Sequence, residues 1–399
     1  MDFELTDEQK MLRGVVRRFV NEKLIPLEKE YLLEKKVDRR LRTRPQILGA
    51  ERFNRLQQEA KKIGLWALWL PEEYGGAGLG YMEYLIVTEE LKKTFMWFEF
   101  GGDAPHVLLN RGKHLLESYV LPCVRGEKKY QPVFAQTEPN AGADPAAMET
   151  TAKWDGKNWI LSGTKIFVGE AEDVDFMLFP AVTDKSKGVH GITLFVVDRQ
   201  TADCPGYKVS RHIETIADDW TLCELSLDDC PVPPENVVGE VGEGFIVAQK
   251  FLVVYGRLHH GGWQLGAAGR CLQMAAQHAK SRVTFGKPLA ERQAIQWMLA
   301  DSAVDLHCTR WIAYHCAWKA DKGEDVRLES AMVKLHADEM AFRVIDRAVQ
   351  IHGALGLTKE TDLHRFYLTA RMLRVAGGPM EIMRMVIARS VLQGELPTI

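Results

Sequence analysis

Four short stretches bring together residue types that could do chemistry. The run Phe134-Ala135-Gln136-Thr137-Glu138-Pro139-Asn140-Ala141-Gly142-Ala143-Asp144 is rich in small residues around one threonine hydroxyl. A turn of this kind exposes backbone N–H groups, a nest that suits a planar heterocycle or a phosphate. A tight loop that binds nothing explains it equally well. In Gly163-Thr164-Lys165-Ile166-Phe167-Val168-Gly169, an aromatic residue at a strand end beside glycine could wall one side of a flat ring. Taken alone, it reads better as a core phenylalanine. Arg282-Val283-Thr284-Phe285-Gly286-Lys287-Pro288-Leu289, followed by Gln293 and Gln296, reads as a helix ending at Gly286 and another starting after Pro288. An arginine beside a fresh helix N-terminus is a natural pyrophosphate site. Ala348-Val349-Gln350-Ile351-His352-Gly353-Ala354-Leu355-Gly356 ends a helix with two glycines that permit close backbone approach.

Other candidates carry less. Gly76-Ala77-Gly78-Leu79-Gly80 has no strand before it and lacks the GxGxxG spacing of a dinucleotide loop. The twelve histidines include the adjacent His259 and His260 and the pair His307 and His315, but none joins a Cys/His cluster with zinc spacing. No metal is expected. Seven cysteines without a CxxC pair read as reduced, mostly buried thiols.

The elements that must position these stretches fall into three zones. Residues 1–130 read as a helical domain, opened by a capping box at Thr6 and Gln9, with further helices near 51–63 and 80–93 and a basic crossing over 34–50. Residues 131–240 change to short β-rich runs at 159–161, 176–179, 192–197 and 223–227, closed by Pro231, Pro233 and Pro234. Residues 241–399 return to long helical segments over 243–282, 290–320, 325–353 and 376–393. The fold class is mainly α with a central β domain. A net charge of −3 gives no field that would draw in nucleic acid or an anionic membrane. No apolar run reaches the length of a membrane helix and the first residues show no secretory pattern, so a cytoplasmic location is expected.

PEEYGGAGLG at 71–80, TEPNAGAD at 137–144, RVTFGKPL at 282–289 and AVQIHGALG at 348–356, with PVPPENVVG at 231–239 between them, resemble the acyl-CoA dehydrogenase family in order and spacing. The resemblance covers nearly the whole chain. It implies a helical N-terminal domain, a β-barrel or sandwich in the middle and a C-terminal four-helix bundle, holding FAD and acting on the Cα–Cβ bond of an acyl-CoA. It implies that Phe134 and Thr137 contact the isoalloxazine, with Gly142, Ala143 and Gly169 in the same cofactor-binding loops, and that Phe167 packs on the ring. Arg282, Phe285 and Gln293, with Gln350 and Gly353, would hold the adenine and pyrophosphate half of an FAD in a neighbouring subunit. That sharing implies a homotetramer or homodimer. Arg257 would lie near the CoA moiety, and Arg389 would sit on the final helix. An electron-transfer flavoprotein is the implied electron partner, with oxygen as the alternative.

The chain departs from the family pattern where a carboxylate would take the α-proton. In Arg374-Val375-Ala376-Gly377-Gly378-Pro379 that position is Gly377, and the second family position, just before Arg257, is Gly256. Gly169 and Ala143 also replace hydroxyl residues that are usual in the family. The backbone N–H of Gly377 could still polarise a thioester carbonyl. Glu170 and Tyr255 head the candidates for a relocated base, followed by Glu99 and Asp103. Three readings follow: a dehydrogenase with a relocated base, another flavin reaction such as enoyl-CoA reduction or an elimination, and a flavin-binding subunit without turnover.

Overall fold

The computed structural model describes residues 4–28, 49–96, 98–100, 106–128, 134–169, 171, 174–199, 206–217 and 221–395. Most of the basic crossing expected over 34–50 lies outside them, as do Glu170 and Asp103. In chain order the main helices are α1 (Asp7–Phe19), α2 (Ala50–Lys62), α3 (Tyr81–Leu91), α4 (Gly244–Phe251), α5 (Arg257–Ser281), α6 (Gln293–Asp321), α7 (Arg327–His352), α8 (Leu363–Leu373) and α9 (Met380–Leu392). The strands are β1 (Thr151–Trp154), β2 (Trp159–Gly169), β3 (Phe176–Val182), β4 (Ile192–Asp198), β5 (Tyr207–Glu214) and β6 (Thr221–Val232), with a two-strand hairpin β7 (Val283–Thr284) and β8 (Lys287–Pro288). Mainly α with a central sheet is therefore the observed class. The sequence reading missed α8, β1, β5 and the short helical turns over Lys113–Arg125.

The described residues form two compact units. One draws on Lys35–Leu79 and Glu99–Phe251, the other on Met1–Glu34, Gly80–Phe98 and Leu252–Ile399.

The first unit is built on a six-stranded sheet of order β4-β3-β1-β2-β6-β5. β3 and β4 are buried along almost their whole length and read as continuous apolar runs, as strands covered on both faces do, although β4 lies at one end of the strand order. β5 pairs with β6 from Tyr207 opposite Leu227 to Glu214 opposite Thr221 and is mostly exposed, which fits an edge strand. Phe134 bridges to Leu178 beside β3, and its ring lies 5.4 Å from that of Phe251. Cys230, on β6, is disulfide-bonded. That corrects the expectation of thiols throughout, while Cys123, Cys223, Cys271 and Cys316 are free and buried and Cys308 is free and exposed.

The second unit packs α5, α6 and α7 around a core that includes Leu258, Leu265, Val333, Met340, Val344 and Ile345. Small residues set how closely α5 approaches its neighbours. A Cβ at Gly261 would lie 2.5 Å from Val333 on α7, and one at Gly262 would lie 2.8 Å from Thr88 on α3. The charges on α3 are buried but paired. Arg17 meets Glu90 at 2.7 Å and Arg310 meets Glu89 at 2.6 Å, tying α1 and α6 to α3. The Thr6–Gln9 capping box is present, with the two reciprocal bonds at 3.2 and 3.1 Å. Among the described residues, no helix is long and apolar enough to cross a membrane.

Candidate active site

In the sheet unit, the small-residue turn hangs on a buried carboxylate. Glu138 accepts N–H bonds from Glu149 at 2.5 Å and Thr150 at 3.1 Å, and a bond from Lys165 Nζ at 2.7 Å. Lys165 also donates to the Pro180 carbonyl at 2.8 Å. Burial pushes the Lys165 ammonium down to about 8, against the pull of Glu138. Burial pushes Glu138 up, but Lys165 and the amides overcome it and hold the carboxyl below its ordinary value. With a lysine and two amides on its oxygens, Glu138 is ionised. It braces the 138–141 turn rather than facing a ligand, a role the sequence did not disclose.

The brace leaves the rest of the loop open. Ile166 donates to the Thr137 carbonyl at 2.8 Å, which fixes Thr137 beside the end of β2. The Thr137 hydroxyl and the amides of Gly142 and Ala143 have no partner among the described residues, and a Cβ at Gly142 would meet nothing within 4 Å. Phe167 is 55% exposed and holds φ at +58°, a left-handed conformation that costs a non-glycine residue about 1–3 kcal/mol. It is therefore not the core residue that its motif alone suggests. Gly169, half-buried, ends β2 opposite Leu222. An exposed aromatic face beside unspent N–H and O–H donors fits a planar heterocycle with hydrogen-bonding edges.

In the helical unit, the second set of cofactor candidates faces water. α5 stops at Ser281, not Gly286, and residues 283–288 turn back as a hairpin with φ of +49° at Phe285 and +73° at Gly286. Positive φ at both central residues is the turn that matches strand twist. Arg292 clamps it by donating to the Thr284 carbonyl at 2.6 Å. A single 3-10 turn, Leu289–Glu291, follows Pro288, and the next α-helix starts at Gln293, so Arg282 stands beside a hairpin rather than a long helix's N-terminus. Phe285 is 97% exposed. Arg282, Gln293, Gln350 and Gly353 are exposed as well, and Gly353 ends α7 with φ of +61°.

The proton-transfer position is also in the helical unit, and here the structure changes the reading. Gly377 has φ of +67°, and a Cβ built on it would lie 2.6 Å from His260 Nε2 and 2.9 Å from His260 Cε1. The imidazole thus stands where a side chain at 377 would start. Gly256, by contrast, ends a π-helical turn over Leu252–Gly256 with right-handed φ and ψ, and its Cβ would meet only Leu252 at 3.4 Å. His260 lies one helical turn after Gly256, on the same face of α5. Its Nδ1 is sealed from solvent with no partner among the described residues, whereas Nε2 is not sealed. Burial, then the charge of Lys334, then His259, drive its pKa well below the ordinary histidine value, so the ring is neutral at neutral pH.

The surroundings are fixed by a buried network on α7. Lys334 is ion-paired with Asp338 and donates to the Leu373 carbonyl at 2.5 Å. Gln264 donates to Asp338 at 2.8 Å. Lys334 therefore anchors the end of α8, which leads into the Gly377 loop. His259 is satisfied by the Tyr84 hydroxyl at 3.0 Å, so only one member of the adjacent pair lacks a bond at Nδ1.

The other proton-transfer candidates do not converge. Tyr255 packs its ring 5.0 Å from Tyr81 and 5.7 Å from Tyr84. Burial, followed by Tyr81, raises its phenol far above the ordinary value, so it cannot offer a phenolate at neutral pH. This corrects its place as a candidate base. Glu99 is half-buried in the sheet unit. The Arg257 guanidinium is buried and donates to Ser330 Oγ at 3.0 Å and to the Arg327 carbonyl, which anchors α5 to α7. Burial lowers it to about 10. Arg389 is exposed on α9.

A helical bundle in which a buried imidazole abuts a glycine loop, and a sheet unit with an exposed aromatic loop, fit a flavin-handling oxidoreductase. The chain matches the N-terminal domain of acyl-CoA dehydrogenases over residues 6–109, the middle domain over 133–230 and the C-terminal domain over 242–392. It is 37% identical to an (R)-benzylsuccinyl-CoA dehydrogenase of Thauera aromatica, over 98% of this chain and 97% of that one. It is 34% identical to an acryloyl-CoA reductase (NADH) of Anaerotignum propionicum, over 98% and 96%. Among solved structures, butyryl-CoA dehydrogenase from Megasphaera elsdenii superposes with a TM-score of 0.84 at 30% identity, covering 98% of this chain and 100% of that one. The chain belongs to the acyl-CoA dehydrogenase family.

Proposed function

We propose that this protein is an FAD-dependent oxidoreductase acting on the Cα–Cβ bond of an acyl-CoA thioester. The observation that carries this is the sheet-unit loop, where exposed Phe167 follows Ile166, whose N–H bonds to Thr137 at the start of the loop that carries the unspent amides of Gly142 and Ala143. Bound FAD supplies a two-electron acceptor or donor at Cβ. Phe134, Thr137, Gly142, Ala143, Phe167 and Gly169 would hold its ring. Arg282, Phe285, Gln293, Gln350 and Gly353 of a second copy would hold the adenine and pyrophosphate, and their joint exposure supports this. Arg257 and Arg389 are proposed on the CoA side, Arg257 by orienting α5. The protein would work as a homo-oligomer in the cytoplasm, in the metabolism of acyl chains, with an electron-transfer flavoprotein as redox partner.

A second reading, reduction of an enoyl-CoA, is favoured by the glycines at both carboxylate positions and by the similarity to a reductase. Anaerobic spectroscopy of the purified flavoprotein decides between them. Anaerobic bleaching by saturated acyl-CoAs supports dehydrogenation. No bleaching, with reoxidation of the reduced flavin by an enoyl-CoA, supports reduction. A colourless protein that cannot be reconstituted with FAD rejects both and leaves a subunit without turnover.

A further inference from the structure

The two positions at which a carboxylate is expected are empty of one in different ways. Position 256 has room for a side chain, whereas position 377 has none, because an imidazole already stands there. Three features of His260 are unusual for a packing residue. Its Nε2 faces the very point from which a side chain at 377 would project. Its Nδ1 is sealed and unpartnered among the described residues, so no hydrogen bond within the fold explains the ring. Both of its α5 neighbours on the C-terminal side are glycines, pressed to Val333 and Thr88, which hold the backbone under the ring in one place.

We propose that His260 is the residue that exchanges a proton with the substrate carbon next to the thioester carbonyl. In this step the Cα–H bond breaks, and its proton passes to the lone pair on Nε2, forming the imidazolium. The C–H electron pair delocalises into the thioester carbonyl as an enolate. The reverse step returns the proton from Nε2 to Cα. The sealed Nδ1 carries the other ring proton and takes no part. Burial, and after it the charge of Lys334, disfavours the imidazolium, so a protonated His260 readily returns its proton to carbon. The inference rests on the reading of position 377 as the site of proton transfer on a CoA thioester.

The test uses the holoenzyme in D2O with butyryl-, isobutyryl- and 3-phenylpropionyl-CoA, and mass spectrometry of the recovered thioesters for deuterium at Cα. Wild type exchanges the α-hydrogen of at least one thioester. His260→Asn is expected to slow that exchange at least about 100-fold, the lower end of general acid–base contributions, while keeping its FAD. His260→Ala with Gly377→Glu is expected to recover exchange, because alanine vacates the space that a Cβ at 377 needs. Gly377→Glu alone should not gain exchange. A variant-free measurement is the rate of diethyl pyrocarbonate modification at His260, read by peptide mass spectrometry, which bound thioester should slow. Unchanged exchange in His260→Asn, or modification that bound thioester does not slow, overturns the role of His260 and leaves the proposed function standing. Wild type that binds a thioester without exchanging it also overturns the role. Failure to bind any CoA thioester overturns the proposed function, and the role of His260 with it.

Discussion

Lys165→Met tests whether the buried ion pair shapes the cofactor loop. In the wild type, Glu138 has Lys165 and the amides of Glu149 and Thr150 on its oxygens, and Lys165 also serves the Pro180 carbonyl. Methionine fills the lysine stem but leaves Glu138 charged and buried at about 3% exposure. Removing one partner of a buried pair costs about 3–5 kcal/mol. The two amides still hold the carboxylate, and the Pro180 carbonyl loses its donor, worth about 1 kcal/mol. The expected loss is therefore about 3–4 kcal/mol. Glu138→Gln in the same chain removes the stranded charge and should return about 2 kcal/mol. Urea unfolding followed by tryptophan fluorescence gives both values, and FAD content after gel filtration should fall in Lys165→Met and partly return in the double variant. A loss below about 1 kcal/mol, or a double variant no better than the single, would refute the account of Glu138 as the brace of the loop.

Phe167→Gly removes an exposed ring and the cost of its left-handed backbone, so the apoprotein should be as stable or about 1 kcal/mol more stable. FAD affinity should drop about tenfold with the lost ring contact, and FAD titration checks this. Phe285→Ala should change the stability of a single chain by less than about 0.5 kcal/mol but lower FAD content and weaken assembly, read by analytical ultracentrifugation. The His260 pKa is depressed, so between the ordinary histidine value near 6.5 and its folded value the unfolded chain holds the extra proton. Stability from this group is present above pH 6.5 and is lost as pH falls. His260→Asn should therefore shrink the stability difference between pH 7 and pH 5, and chemical unfolding at the two pH values measures it. An unchanged difference would show that His260 is not buried as a neutral ring facing Lys334 and His259.

The elements legible in the sequence are those whose signal is local. The capping box at Thr6 and Gln9, the apolar runs of β3 and β4 and the long helices α6 and α7 sit close to their expected places, with α6 starting at Gln293 rather than 290 and β3 running on to Val182. β5 was not legible because it is an exposed edge strand with little apolar alternation, stabilised by its ladder with β6. α8 was passed over between two glycine-rich stretches, although its Leu363, Phe366, Ala370 and Leu373 recur at helical spacing and are buried. At 282–289, glycine and proline read as the ends of two helices, whereas the same residues also make a hairpin with two positive φ angles.

The sequence alone determined the family, the three matched regions and the bare fact that glycine stands at both expected carboxylate positions. It also contained His260, but as half of an adjacent pair with no metal-binding spacing, and so with nothing to mark it. Only the tertiary structure decided that Phe167 is exposed, that Glu138 is a brace and that an imidazole occupies the space in front of Gly377. His260 and Gly377 are far apart along the chain, and no local preference brings them together. Their meeting is set by how α5, α7 and α8 pack, through glycines that admit close approach and a buried lysine that pins the end of α8. Such a contact belongs to the packed bundle as a whole and is written in no single stretch of sequence.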